Sequence, residues 1–506
     1  MCGFFISNSQ KINKEHEAII EHCLRFRGPD GSSGLIECNG WKAYHSRLSV
    51  IDLAAGVNQP MKDERGGMLV FNGEILNYKE LGYKYFETEF HSDTKLLSEL
   101  LSKKKLSISE LDGFFAFVYV NAEGKLEHAV RDQFGVKPLF FHEDENGISF
   151  SSEPNILNKL FECHVSNDAI DEYYATRAPI FSGSYFLGVR SLEPGSCFVV
   201  GQYFDCAKYL KSAYEDLSII NIEQVLQKGV SSRLVSDAPV GLLLSRGVDS
   251  NLLRNIGSFS RYYTIGFSGD EDIEYLKNQN IHGLTAVECT AEEYKLAFEF
   301  LLELRGEPMS VPNEVLLYII AKKAAADGVK VLLSGEGADE FFGGYDRIFQ
   351  WALNTKEFDL DEFLSRYCYI KPEYNSKLYN KFSLLFNEVK FDSVFETVRW
   401  FFIRYHMPIL FRRLDFSLMA AGVEGREPIA NMHTFIEAVK ISPRELMGET
   451  LGKLPLRNIL SQFMGQEFAY EKKVGFPVDL TKIFDNYESL TSYELWFKEN
   501  LKVLKK

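Results

Sequence analysis

Two rhythms of apolar and polar residues run along this chain, and one gives way to the other near residue 210. Before that point short runs of strand type dominate. Residues 69–71, 111–120, 126–130 and 148–152 read as strands, and 196–204 finishes the series. Helical patterns are few and short there; one follows Ser92-Asp93, either of which suits an N-cap. This predicts an α+β region of stacked antiparallel sheets flanked by helices. Residues 205–216 fade into Lys, Ser and Asp, as a linker would. Beyond them the spacing turns helical over 222–234, and 240–244 forms an apolar run suited to a buried strand, with a helix opening at 251–254. A second buried strand is expected at 262–267 and a third at 329–333. Between them 312–327 is a strong helical pattern ended by Gly328 at the C′ position. Strands alternating with helices predict an α/β region with a doubly wound parallel sheet. Residues 348–506 extend it as a mainly helical lobe rich in aromatics. The expected division is 1–207 and 216–506.

Composition narrows the picture without changing it. A length of 506 residues allows sizeable cores, and 45% apolar with 25% charged residues is ordinary for a soluble protein. A formal charge of -15 argues against a general nucleic-acid binder or a binder of anionic membranes, yet leaves room for a small basic pocket. No apolar run approaches the ~18 residues of a membrane helix, and the N-terminus lacks the charged and apolar regions of a signal peptide. Eight cysteines with no C-x-x-C pair give neither a disulfide framework nor a zinc site, so a reduced, cytoplasmic setting is expected.

The first chemical signal is Cys2. Removal of the initiator Met1 would leave it as the N-terminal residue, with a thiol nucleophile beside an α-amine that titrates near pH 8 and can act as its base. Alone, an incidental cysteine is the simpler reading; the residues downstream weaken it. Arg25-Phe26-Arg27-Gly28-Pro29-Asp30-Gly31 forms a turn cluster, and His45-Ser46-Arg47 comes next. Residues 69–71 run into Asn72-Gly73-Glu74, where a hairpin turn is the competing reading, and His91-Ser92-Asp93-Thr94 precedes a helix. Arg131-Asp132 is expected to be a surface ion pair.

In this order, from Cys2 to Glu153, the chain resembles the N-terminal-nucleophile glutamine amidotransferase domain of the asparagine synthetase family. The resemblance implies that Cys2 attacks the glutamine side-chain amide to give a thioester and ammonia. It implies that Arg47 holds the substrate carboxylate. The Asn72 side chain and the Gly73 backbone N–H would form the oxyanion hole, and Glu74 and Asp93 would bind the α-ammonium.

The second half carries its own signals. Ser245-Arg246-Gly247-Val248-Asp249-Ser250 lies between a buried strand and a helix, where free backbone N–H groups suit an anion. It has no Lys and is not a Walker A loop. Ser334 to Glu340 sets three acids among small residues after another buried strand, a placement that suits carboxylates sharing Mg²⁺ on a triphosphate. This half is similar to the ATP-pyrophosphatase-type synthetase domain of the same family. By that resemblance Leu244, Ser245, Gly247, Asp249, Ser250, Gly266, Ser334 and Gly335 take ATP and its pyrophosphate. Asp249 and Asp339 hold Mg²⁺, and Glu336 faces the intermediate. Glu424-Gly425-Arg426-Glu427-Pro428 resembles the family's E-x-R-x-P segment, and Lys473, or its neighbour Lys472, matches the lysine expected at the adenylating step.

Some positions depart from the family pattern. Arg246 stands where a second glycine is usual, which costs strain if φ is positive there and otherwise offers a guanidinium to a phosphate or a carboxylate. Gly306 replaces an acid before Glu307-Pro308, and Phe416 and Leu418 replace polar residues after Asp415. The resemblance implies a glutamine-dependent ligase that adenylates a carboxylate with ATP and amidates it, with aspartate as the default acceptor and a homodimer as the family's usual state. A sugar uronate of surface polysaccharide or a natural-product acid is the alternative acceptor. A glutaminase beside a degenerate synthetase module is the alternative of a different class.

Overall fold

The structure, a computed structural model, describes residues 2–52, 58–212, 221–472, 478–485 and 489–505. Two antiparallel sheets lie face to face in the first two hundred residues. In one, Cys2–Ser7 is central, between Gly147–Ser151 and Trp41–Arg47. In the other, Met68–Ile75 and Gly113–Val120 pair along their full length. Successive strand side chains point to opposite faces, and the cores follow that rule. Phe4, Ile6, Val70 and Val118 meet between the sheets. Phe5 turns outward onto the helices Glu17–Leu24 and Pro154–Phe161, and Leu69, Phe71 and Phe117 turn outward onto Tyr78–Phe86 and Asp93–Ser102. The Asn72-Gly73 pair lies inside a strand and not in a hairpin turn.

The second half holds a five-stranded parallel sheet in the order Leu284–Cys289, Tyr262–Phe267, Val240–Leu243, Val331–Leu333, Glu424–Arg426. Strand order reverses between Val240–Leu243 and Val331–Leu333, which makes the crevice beyond their carboxyl ends the natural ligand site. Helices cover both faces: Val331 and Leu333 pack with Leu226, Val230 and Leu252, while Leu332 packs with Ile320, Ala324 and Leu414 on the other side. Two of the five strands escape a hydrophobic reading. Leu284–Cys289 is an edge strand, half-buried through most of its length, and Glu424–Arg426 has a charge at each end. Those charges satisfy each other and nearby backbone: Arg426 donates to Glu424 at 2.5 Å and to the carbonyls of Arg233 and Val235 at 2.7 and 2.6 Å. The stretch expected as a linker begins as the helix Cys206–Ser212, with Cys206, Ala207 and Leu210 buried.

The two halves are joined by apolar rings and by buried charge. Phe134 and Phe204 of the first half meet Phe341 and Phe435 of the second at centroid distances of 5.3–5.8 Å. Beside them Asp415 lies 2.8 Å from Arg27 and 3.2 Å from Lys137, all three fully buried. Burial would raise Asp415, but Arg27 and Lys137 outweigh it and hold the carboxyl below its usual range. Arg27 also pairs with Glu153 at 2.6 Å, and Glu153 with Arg412 at 2.6 Å. Glu427, 3% exposed, is less well served: burial pushes it up to about 7 against the partial relief of Lys137, and its Oε2 has no hydrogen-bond partner among the described residues. Arg131 and Asp132 are not a surface pair. Both are buried; Arg131 donates to the carbonyls of Gly135, Lys137 and Leu192, and Asp132 accepts from the N–H groups of Phe134, Val136 and Lys137. They brace a turn that supports the interface.

All eight cysteines are free thiols, and no helix among the described residues is long and apolar enough to cross a membrane.

The interface generates two expectations. Asp415→Asn leaves two buried cations short of their anion and should lower the unfolding free energy by about 3–5 kcal/mol in urea titrations. Lys11→Ala, which removes an exposed pair with Asp144, should leave the midpoint unchanged. Glu427 gives a pH signature. The native carboxyl keeps its proton to about 7, whereas the unfolded one releases it near 4.5. Its contribution is therefore whole below the lower value and is lost as pH rises through the upper one, by on the order of 3 kcal/mol. Glu427→Gln should flatten that decline and be the more stable protein at pH 8; an unchanged pH profile would contradict the assignment.

Candidate active sites

The first site forms where the two facing sheets bring their strands together. Cys2 opens the central strand of one sheet with Arg47 directly opposite it on the neighbouring strand. The backbone N–H of Cys2 donates to Asn72 Oδ1, on the other sheet, at 3.1 Å. The same Asn72 has a second, unused function: its Nδ2 is buried and has no hydrogen-bond partner among the described residues. A buried amide donor left unmatched costs about 1–3 kcal/mol, so its presence beside a cysteine calls for a ligand oxygen. Gly73 follows with φ +138°, and a Cβ there would lie 2.0 Å from the Phe114 carbonyl oxygen, so only glycine lets the strands approach this closely.

Glu74 and Asp93 complete the pocket wall opposite Arg47 and Leu48. Ser92, not Asp93, caps the helix Asp93–Ser102, which frees Asp93 to face the site. Its carboxylate accepts from the N–H groups of Ile75 at 3.0 Å and Thr94 at 2.6 Å. Both acids are held above their ordinary range, first by burial, and for Glu74 also by the nearness of Asp93 and Glu424. Burial also pushes the Cys2 thiol up, with Arg47 a small opposing influence. Arg47 donates to Asn58 Oδ1 at 2.9 Å and to the Asp52 carbonyl at 2.5 Å. Cys2, Arg47, Gly73, Glu74 and Asp93 all line one cavity.

The second site is a cavity of about 340 Å³ in the crevice of the parallel sheet. Leu244, Ser245, Asp249 and Ser250 line it from one strand end, and Ser334, Gly335, Glu336 and Asp339 from the other. The first loop is held by its own hydroxyls. Ser250 Oγ accepts from Ser245 N at 3.1 Å, Ser245 Oγ accepts from Gly247 N at 3.2 Å, and Asn251 Nδ2 donates to the carbonyls of Ser245 and Gly247. Gly247 then serves as the N-cap of Val248–Ile256. The two loops touch: a Cβ on Gly335 would come within 2.7 Å of the Asp249 Cβ. Gly266 lies within its strand, and its neighbours Thr264 and Ile265, not Gly266, line the cavity.

Sequence reasoning missed a residue that pairs with two of the acids lining this pocket. Lys453 reaches between the two acids, 2.8 Å from Asp249 and 2.7 Å from Asp339, and they hold its ammonium well above the ordinary range despite burial. Its only local signal is a lysine immediately before a helix N-terminus, where a positive charge opposes the dipole. Its φ is +60°. Gly344 makes room for it, since a Cβ there would lie 2.1 Å from Lys453 Cε. Glu336, expected to face the intermediate, is paired with Arg413 at 2.9 Å.

Arg246 carries no strain cost, and its charge is paired within the chain. Its φ is not positive, so no left-handed strain arises, and its guanidinium turns onto Glu471 at 2.5 Å and over the Tyr275 ring at 4.5 Å. Phe416 packs against Arg305 and Arg412 at 5.0 and 5.6 Å. Lys473 lies outside the described residues; Lys472 is exposed.

Comparison with known proteins matches the two halves of the chain to two families. Residues 1–210 match the glutamine amidotransferase domain family, and 221–501 match the asparagine synthase family. Asparagine synthetase [glutamine-hydrolyzing] 1 of Bacillus subtilis is 28% identical over 71% of this chain and 61% of its own length. Asparagine synthetase [glutamine-hydrolyzing] 3 of the same organism is 26% identical over 94% of this chain and 87% of its own. A putative asparagine synthetase [glutamine-hydrolyzing] of Mycobacterium tuberculosis is 30% identical over 68% of this chain and 58% of its own. The chain thus spans about three fifths of the first relative's length and most of the second's. With both regions matched in order, the chain belongs to the asparagine synthase family and carries a glutamine amidotransferase domain ahead of its synthase region.

Proposed function

We propose that this protein is a glutamine-dependent ligase that activates a carboxylate with ATP and converts it to an amide. The observation that carries the reading is the unmatched amide donor of Asn72 beside Cys2 and Gly73. On loss of Met1, the Cys2 nitrogen held by Asn72 Oδ1 becomes an α-amine, able to take the proton of a thiol that burial keeps from ionising unaided. Sγ then bonds to the glutamine amide carbon, and the oxygen's new charge falls on Asn72 Nδ2 and the Gly73 N–H. Collapse expels ammonia and leaves a thioester, which water cleaves to glutamate. Arg47 receives the glutamine carboxylate, giving up its present oxygen partners. Glu74 and Asp93 receive the ammonium, which replaces the protons that burial now favours on them.

In the second pocket ATP would lie with its phosphates on the Ser245–Ser250 loop, whose hydroxyls and helix N-terminus suit an anion. Asp249 and Asp339 fit a Mg²⁺ ion, which takes one or two carboxylates together with substrate phosphates and would neutralise phosphate charge there. Lys453, already between the same acids, would turn to the phosphates. The acceptor carboxylate displaces pyrophosphate to give an acyl adenylate, and ammonia displaces AMP. Arg413 offers a cation for the acceptor's charge, and Glu336 a carboxylate for its amine or for the proton shed by ammonia. Aspartate is the default acceptor, with asparagine as product. Eight unpaired thiols accord with a reducing, cytoplasmic setting.

Pyrophosphate release with glutamine, ATP and a panel of carboxylates tests the whole reading. Release with aspartate is the expected result. Release only with a sugar uronate or another acid would move the acceptor and keep the chemistry. Glutamate formation without pyrophosphate from any acceptor would sink the synthetase half. Cys2→Ala should abolish synthesis from glutamine and spare synthesis from added ammonia; equal loss of both would refute the division of labour.

A further inference from the structure

A third cavity, about 270 Å³, opens between the two halves and shares no lining residue with either pocket above. Its volume is at the small end of ligand sites. In a chain of net charge -15, five arginines line it, Arg131, Arg190, Arg305, Arg404 and Arg412, against the two glutamates Glu193 and Glu307. Such a gathering of guanidinium groups around one open cavity is of the sign that collects anions.

The arginines are not equally committed. Arg305 and Arg412 are held by Glu307, Glu314 and Glu153 in the interior. Arg131 gives its hydrogen bonds to backbone carbonyls and the Ser191 hydroxyl; burial pulls it down to about 10 against the partial relief of Asp132 and Glu193. At the mouth the pairing is exposed to solvent. Arg404 is bonded to the Pro194 carbonyl at 2.9 Å and to Glu193, whose side chain is 64% exposed. Arg190 comes no nearer than 3.6 Å to Glu143. An exposed carboxylate on a half-buried guanidinium is a partner that a second carboxylate or a phosphate can replace without leaving a charge unpaired.

The remaining wall is apolar and aromatic: Phe140, Ile180, Phe181, Tyr405, Pro408 and Ile409. Arg404 and Tyr405 project from a single π-helical turn, Phe402–His406, set between two α-helices. Such turns arise by insertion into a helix and concentrate at ligand sites. Here the turn delivers a guanidinium and a ring together to one cavity.

We propose that this interdomain cavity binds a small organic anion, a carboxylate or phosphate carried on a flat apolar body, with Arg404 as its exchangeable anchor in place of Glu193. The head group takes the guanidinium, and the body lies against Phe181 and Tyr405. This site is separate from the glutamine and ATP pockets and does not depend on the amide-forming reading.

The test is thermal unfolding and calorimetry of the full chain with phenyl phosphate and benzoate at millimolar concentration, in saturating ATP so that the Ser245 loop is occupied. Benzamide serves as a neutral probe and inorganic phosphate as a bare head group. Either aryl anion should raise the midpoint and bind in a saturable way, while benzamide does not; the stronger of the two names the head group. Arg404→Gln should weaken that binding about tenfold, as expected for a lost charge-assisted bond. Glu193→Gln, at an exposed position where folding is not at stake, should tighten it by removing the resident competitor. Overturning results are no binding of either aryl anion, equal binding by inorganic phosphate, loss of the effect under saturating ATP, or no response to Glu193→Gln.

Discussion

The structure turns on one buried carboxylate. Asp415 neutralises Arg27 and Lys137, which come from the other half of the chain, and none of the three reaches solvent. A buried ion pair is a weak source of net stability but a severe constraint, because losing either partner strands a charge in a medium that cannot solvate it. The halves must therefore dock in a single register. The chemistry inherits that register directly: Arg27 Nε donates to the Cys2 carbonyl at 3.2 Å, and the helix that bears Asp415 also bears Arg413, the partner of Glu336. One helix thus fixes the relation between the thiol and the acid of the second pocket.

How far the sequence reveals this depends on what kind of force holds each part. Strands that open on a continuous apolar run, such as Met68–Ile75, declare themselves by pattern. Glu424–Arg426 does not, because its buried side chains are charged and only their mutual pairing makes burial tolerable. The residues expected to gather around Cys2 could be read from local motifs, and Arg47, Gly73, Glu74 and Asp93 line one cavity with it. Lys453 could not: its partners are 204 and 114 residues away, and nothing in its neighbourhood marks it. Arg131-Asp132 misled for the opposite reason. Adjacent opposite charges suggest a surface pair, whereas here each satisfies backbone groups of a buried turn, a use that composition does not distinguish. Arg246 looked like a cost at a glycine position, and it is a tether to Glu471 instead.

The two pockets solve one electrostatic problem in two ways. Each gathers a pair of carboxyls in a confined space, which is unfavourable unless positive charge is supplied. At Glu74 and Asp93 burial favours protonation, so a cation placed between them would have to displace protons. At Asp249 and Asp339 the positive charge is a lysine of the chain.

That lysine makes the second pocket selective before any substrate is recognised. A bare divalent ion entering between Asp249 and Asp339 must compete with a cation that is tethered in place and cannot diffuse away, at a local concentration far above that of any free ion. It would also leave the displaced ammonium buried without an anion. A ligand that brings its own phosphates gives Lys453 somewhere to go. The resting pocket is thus biased against a bare cation and toward a ligand that carries anionic groups of its own.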